Sequence, residues 1–215
     1  MKVNTEPLKA DTFYHIYNRG INGENIFKTE NNYRFFLNKY ILHIEPIAKT
    51  YAYCLLANHF HLLICTRSED EIYSNLNVNV DEVSNLINVK KDRTASFNIS
   101  NQYAKLFNSY TQAINKSINR TGGLFETPFR RIEIKSDAYF SKLIWYIHQN
   151  PQQHGFVSDF RDYPHSSYHS HLQTKATRLQ RDEVLKWFGD GEEYVKFHSH
   201  EVNSETIRDL KIDFN

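Results

Sequence analysis

The chain has 215 residues, 40% hydrophobic and 24% charged, with only 7 Gly and 5 Pro, a globular composition that excludes collagenous, low-complexity and wholly disordered chains. Lys plus Arg number 26 against 25 Asp plus Glu, so a strongly basic duplex-coating protein is excluded and nucleic-acid binding would need a local patch. The longest apolar runs, 51–57 and 62–65, are far too short to span a bilayer. Residues 1–11 lack the apolar core of a signal peptide, and a cytoplasmic address is expected by default. Two cysteines, Cys54 and Cys65, with no CxxC, give neither a disulfide framework nor zinc-finger spacing. The 14 Tyr, 15 Phe and 11 His imply an aromatic core, or else platforms for unpaired bases at about 1–3 kcal/mol per stack.

In chain order, residues 12–18 are β-branched and aromatic and end at Arg19-Gly20, which predicts a first strand. Residues 21–28, holding Asn22-Gly23, are a loop. Apolar positions Phe35, Phe36, Tyr40, Ile41 and Ile44 recur at helical spacing over 32–44 and stop at Pro46. Residues 47–56 and 59–66 are a second and third strand, expected to pair as an antiparallel hairpin across Ala57-Asn58. Residues 68–100 are polar and weakly periodic, read as partly irregular with a short helix at 81–89. An amphipathic helix is predicted over 102–118 and a short basic strand within 124–135. Ser136-Asp137 then caps a helix to about Asn150, limited by Pro151. From Pro164 onward, 168–172, 181–188 and 192–200 are short helical candidates. The order suggests an α+β fold with an antiparallel sheet, divided as residues 1–163 and a helical C-terminal extension, 164–215, of unassigned role.

The informative segment is Asn58-His59-Phe60-His61-Leu62-Leu63-Ile64-Cys65. Strand alternation puts His59, His61, Leu63 and Cys65 on one face and Phe60, Leu62 and Ile64 on the other. Two imidazoles so placed can grip one metal ion, or equally stand solvated on an open sheet face. On the helix after Ser136, Phe140, Leu143, Ile144 and Ile147 form a stripe to dock on the sheet. Tyr146 and Asn150, four residues apart, are neighbours on its flank. His148 lies well around the helix from Tyr146. The pair reads either as a nucleophile with a third metal ligand, or as half-buried packing with a C-cap before Pro151.

Three blocks raise the first of these readings. Tyr14-His15-Ile16-Tyr17-Asn18-Arg19-Gly20 comes first, then Ala57-Asn58-His59-Phe60-His61-Leu62-Leu63-Ile64. Third is Tyr146-Ile147-His148-Gln149-Asn150-Pro151, followed by His154-Gly155-Phe156-Val157. In order over residues 12–163 they resemble the REP-associated tyrosine transposases of the single-tyrosine HUH transposase superfamily. The basic stretch Gly123 to Arg131 also looks like that family's approach to its last helix. The resemblance implies a ferredoxin-like α+β fold, with an antiparallel sheet packed with helices. His59 and His61 match its metal histidines, Tyr146 its nucleophile, and Asn150 stands where related enzymes place a Gln as third ligand. It also implies cleavage and rejoining of single-stranded or hairpin DNA through a 5′-phosphotyrosine, and it admits a homodimer in which the tyrosine helix acts across subunits.

Because one phosphodiester is exchanged for another, no ATP is needed, and no P-loop sequence is present. A phenol with an ordinary pKa near 10 needs help. A divalent ion on His59, His61 and Asn150 would polarise the phosphate, and this donor set suits Mg2+ or Mn2+. Zinc through Cys65 is disfavoured, since four strand residues span roughly 13 Å. For DNA contact the candidates are Asn18, Arg19, Lys116, Arg120, Arg130, Arg131 and Lys135, each of which could also be a solvated rim charge. His15 is expected in the core or behind the site, and Phe125 and Phe129 in the core rather than against bases. A catalytically idle protein that binds hairpin DNA, and a phosphoesterase acting through water, are the competing functions.

Overall fold

The computed structural model describes residues 6–77, 91–136 and 139–200. Strand β1 (Phe13–Arg19) leads through a 3-10 turn (Ile21–Gly23) to helix α1 (Glu30–His43), and β2 (Ala48–Leu55) and β3 (His59–Thr66) follow as a hairpin. Then come α2 (Glu69–Leu76), α3 (Lys91–Ser117), the short strand β4 (Arg130–Glu133) and α4 (Phe140–Gln153). Three short helices close the described chain: α5 (Tyr168–Leu172), α6 (Arg181–Phe188) and α7 (Gly191–Ser199). The sheet order is β2-β3-β1-β4 with every pairing antiparallel. This is the α+β, ferredoxin-like arrangement. No helix among the described residues is long and apolar enough to cross a membrane.

Two cores sit on the two faces of this sheet. Tyr14, Ile16, Phe60, Leu62 and Ile64 point to one side and pack with Phe36 and Ile44 of α1, Ile72 of α2, and Ile99, Tyr103, Leu106 and Tyr110 of α3. Ala52, Cys54 and Leu63 point to the other and pack with Leu143, Ile144 and Ile147 of α4. The period-2 alternation of β3 therefore sorts its side chains between two layers, as its sequence dictates. Phe125 is in the first core, and Phe129 packs on it with its ring 4.8 Å from that of Tyr103.

Three stretches depart from the sequence reading. Residues 69–76 are helical because Ser68 accepts from the Glu71 amide while the Glu71 carboxylate accepts from the Ser68 amide, a reciprocal cap. Helix α3 starts at Lys91 rather than near 102, and buries Ala95 and Ile99. The helix predicted at 81–89 lies outside the described residues. Helix α4 runs through Pro151 to Gln153, so Asn150 is an interior residue and His154 is the C-cap. The proline removes a single backbone donor there, while Pro151 itself is buried.

Residues 164–200 close the second layer. Tyr168, Val184 and Tyr194 belong to the core under α4, and burying a valine such as Val184 contributes about 1.5–3 kcal/mol. The segment also covers the β2 edge. The Leu55 amide donates to the His165 carbonyl, the Ser167 amide to the Tyr53 carbonyl and the Gln180 amide to the Thr50 carbonyl. Strand β4, four residues long and charged, forms the opposite edge.

Candidate active site

Cross-strand register assembles the site. Tyr17 of β1 stands opposite His61, and Arg19 opposite His59; on the other flank Tyr17 pairs with Arg130 of β4. Partners across a ladder share a face, so His15, Tyr17, Arg19, His59, His61 and Arg130 all point toward the α4 layer. Gly20 follows β1, and its lack of a Cβ lets the next turn close, since that atom would lie 2.0 Å from the Glu24 carbonyl oxygen. The chain thus turns away directly beside His59.

Helix α4 supplies the rest. The Tyr146 ring meets His61 edge-on with centroids 5.6 Å apart, and His15 at 6.2 Å. One turn later, the Asn150 amide lies against His59 and favours that ring's protonated form, opposing a larger effect of burial. Asn150 Nδ2 donates to the Tyr146 carbonyl at 2.7 Å, which turns its oxygen toward His59. That oxygen is buried and accepts no hydrogen bond of normal geometry. His59, His61, Tyr146 and Asn150 therefore converge, whereas His148 points to the opposite side of α4, bonded to Ser167 and His198.

The histidines are held in defined states. His59 Nδ1 donates to Asn58 Oδ1 at 2.7 Å, which puts its lone pair on Nε2. His61 Nδ1 is 3.0 Å from His15 Nε2, and a metal on His61 Nε2 requires that Nδ1 carry the donated proton. Burial pushes His59 and His15 down to about 3, and His61 well below the usual imidazole range. Neutral rings anchored through one nitrogen are the form that ligates divalent metals. Among the described residues no group of three or more His, Cys, Asp or Glu is placed to hold a metal, and the Asn150 side chain is the further oxygen donor that α4 brings against His59. Two imidazoles and an amide oxygen fit a divalent cation. Cys65 does not join them; burial raises its thiol to about 11.

The predicted DNA-contact residues separate into groups. Arg19 and Arg130 lie on the site face and share the Glu126 carboxylate, at 2.5 and 3.6 Å. Asn18 faces the other way, buried, with Nδ2 donating to the Glu126 carbonyl and Oδ1 accepting from the Arg19 amide. Arg120 is tied to Glu24, Asn115 and the Gly123 carbonyl, and so braces its own loop. Arg131 lies over the Phe129 ring at 4.3 Å. Lys116 ends α3, and Lys135 is exposed 3.9 Å from Glu133. Along the β4 edge a groove of about 490 Å³ is lined by Tyr14, Tyr17, Glu126, Pro128, Arg130 and Arg131, among others. The sequence reading gave no role to Tyr17, Asn58, Glu126 or His154; the Phe13-His15-Tyr17-Arg19 alternation was the available signal for Tyr17.

No family model matches the chain. A curated protein of Haemophilus influenzae, named a REP-associated tyrosine transposase, is 25% identical over 127 residues, 59% of this chain and 62% of that protein's length. The match thus spans less than two thirds of that relative. A solved structure, described as a REP-associated tyrosine transposase bound to a REP hairpin, superimposes with a TM-score of 0.54 at 15% identity, covering 80% of this chain and 85% of the other. In sequence and in fold, the chain resembles the REP-associated tyrosine transposases.

Proposed function

We propose that the chain is a DNA strand-transfer enzyme that cleaves and rejoins single-stranded DNA at hairpin-forming repeats. The observation that carries the reading is the approach of the Tyr146 ring to His61, 5.6 Å between centroids, with Asn150 of the same helix against His59. The likeness to a hairpin-bound transposase fold supports the substrate class. Tyr146 Oη attacks a backbone phosphorus, the bond to the 3′ oxygen breaks, and a 5′-phosphotyrosine and a free 3′-hydroxyl result, the phenolic proton balancing the hydroxyl. Attack by another 3′-hydroxyl reverses these bonds and frees Tyr146.

His59, His61 and Asn150 would hold Mg2+ or Mn2+, which when bound draws charge from the non-bridging phosphate oxygens. Asn58 and His15 fix the two ligand rings in orientation. Arg19 and Arg130 neutralise the strand, exchanging their shared carboxylate for phosphate. The groove along β4 offers a path for unpaired nucleotides next to Tyr17.

The burial of Tyr146, 3% exposed, favours a second reading in which the protein binds hairpins without cutting them. Incubating the protein with labelled hairpin oligonucleotides and Mn2+, then denaturing, separates the two. Strand transfer predicts a covalent protein–DNA band that Tyr146→Phe abolishes. Binding without a band across a broad panel would leave the second reading, and cleavage that survives Tyr146→Phe would assign the chemistry to water.

A further inference from the structure

Four imidazoles gather at the sheet end of α4, and three of them, His15, His59 and His61, are buried to 4% exposure or less. The fourth, His154, is exposed. Its ring stands edge-on to His59 with centroids 4.9 Å apart. His154 is also close enough to both ligand-type histidines for its charge to disfavour theirs.

Its position is built rather than incidental. The His154 amide donates to the Asn150 carbonyl at 2.9 Å, so the C-cap hangs on the residue that faces His59. Gly155 follows with φ of 71°, a left-handed turn that favours glycine. The Phe156 amide then closes back on the Pro151 carbonyl at 2.8 Å. The imidazole is thus fixed at the rim, between the buried donor atoms and solvent, from which any strand must arrive.

We propose that His154 is a substrate-contacting residue, its ring N–H donating to a non-bridging oxygen of the DNA phosphate that passes over His59. A neutral imidazole keeps one N–H, so the contact needs no change of protonation. This rests on the strand-transfer reading for its substrate class, and gives the site a donor that reaches the phosphate from the solvent side.

The test uses a hairpin oligonucleotide selected by binding from a pool with randomised single-stranded flanks, and replaces its flank phosphates one at a time with neutral methylphosphonate. In the Tyr146→Phe background, one replacement should weaken binding several-fold, and that loss should vanish when His154→Ala is added, since the two changes remove the same contact. With Tyr146 restored, His154→Ala should slow covalent-adduct formation at saturating DNA about tenfold, and His154→Gln, which keeps an N–H donor, should recover most of it. An exposed side chain leaves the melting temperature as a control for folding. Additive losses at every phosphate, together with an unchanged adduct rate in His154→Ala, would overturn the contact and leave strand transfer standing. Coupling at one phosphate without any adduct in the wild type would retire strand transfer and keep the contact. Failure to bind any oligonucleotide overturns both.

Discussion

Helix α4 carries two histidine clusters on its opposite sides, built from the same residue type at similar burial and wired to opposite ends. On the C-terminal side, the Tyr194 carbonyl can only accept, so His198 Nδ1 carries the proton. His198 Nε2 then accepts from His148 Nδ1 at 2.9 Å, and His148 Nε2 accepts from the Ser167 hydroxyl at 2.7 Å. Every ring nitrogen in that chain is used and every ring is neutral. On the sheet side, Asn58 Oδ1 plays the carbonyl's part for His59. There the chain of bonds ends toward the buried Asn150 oxygen and the Tyr146 ring. The first network ties a helix to the C-terminal segment; the second brings two imidazoles and an amide oxygen, the donor set proposed for the metal, to one point. The first is expected to answer to mutation in stability, the second in chemistry and metal affinity.

The largest break is expected on the sheet side. His61→Ala removes one of the proposed metal ligands, and charge stabilisation of that kind is worth about 10²–10³ in rate, roughly 3–4 kcal/mol. Adduct formation should fall accordingly at fixed Mn2+, read well below the midpoint, which drops because a buried ring bonded to His15 is lost. A midpoint drop that accounts for the lost adduct would turn His61 into a structural residue and erase the contrast.

Ser167→Ala probes the other side. Ser167 is buried, and its hydroxyl oxygen both accepts from the Tyr53 amide at 2.9 Å and faces His148 Nε2. Leaving two buried groups without partners should destabilise by about 2–4 kcal/mol, a fall in midpoint of roughly 5–15 °C for a chain of this size. The adduct rate well below the midpoint should stay within twofold. Asn58→Leu sharpens the sheet side again. It removes the acceptor that orients His59, and should weaken Mn2+ binding by about 10–100-fold in direct titration. Unchanged Mn2+ affinity would mean that the tautomer is set by something other than Asn58.

These two clusters were not equally legible. The His-x-His alternation on β3 and the Tyr146–Asn150 spacing could be read because period and pitch fix which side chains share a face. The three strands and α1 were legible for the same reason. Nothing in the sequence shows that His148 and Gln149 are buried, because polar residues on the back of an amphipathic helix read as its solvated side. They are covered by Tyr168, Tyr194 and His198, contributed by helices of five and nine residues too short to display a strong period. The continuation of α4 past Pro151 was hidden too, since local sterics argue for a stop there and only the burial of Asn150 and Pro151 explains the outcome.

The smallest expected effect is the share that a single ring on the C-terminal side has in the pH dependence of stability, to which the buried His15, His59 and His61 contribute in the same sense. Burial lowers His171 and His198 to about 4, against an ordinary 6.5. Between these values the unfolded chain binds a proton at each ring that the folded chain does not. Stability is therefore full above about pH 6.5 and falls as the pH drops toward 4, each ring contributing at most about 1.4 kcal/mol per pH unit. His171 is the cleaner of the two to remove, since His198 is bonded within the chain of rings whereas His171 packs beside His148 and Tyr194 and meets the chain only at the Tyr51 backbone. His171→Leu should flatten the decline of urea-unfolding stability between pH 6.5 and 4.5 by up to one proton's worth, with a value at pH 7 close to that of the parent. An undiminished slope in His171→Leu would mean that this ring is already protonated in the folded protein. The C-terminal network would then hold a charge, and the contrast with the neutral cluster on the sheet side would have to be drawn on charge instead of on hydrogen bonding.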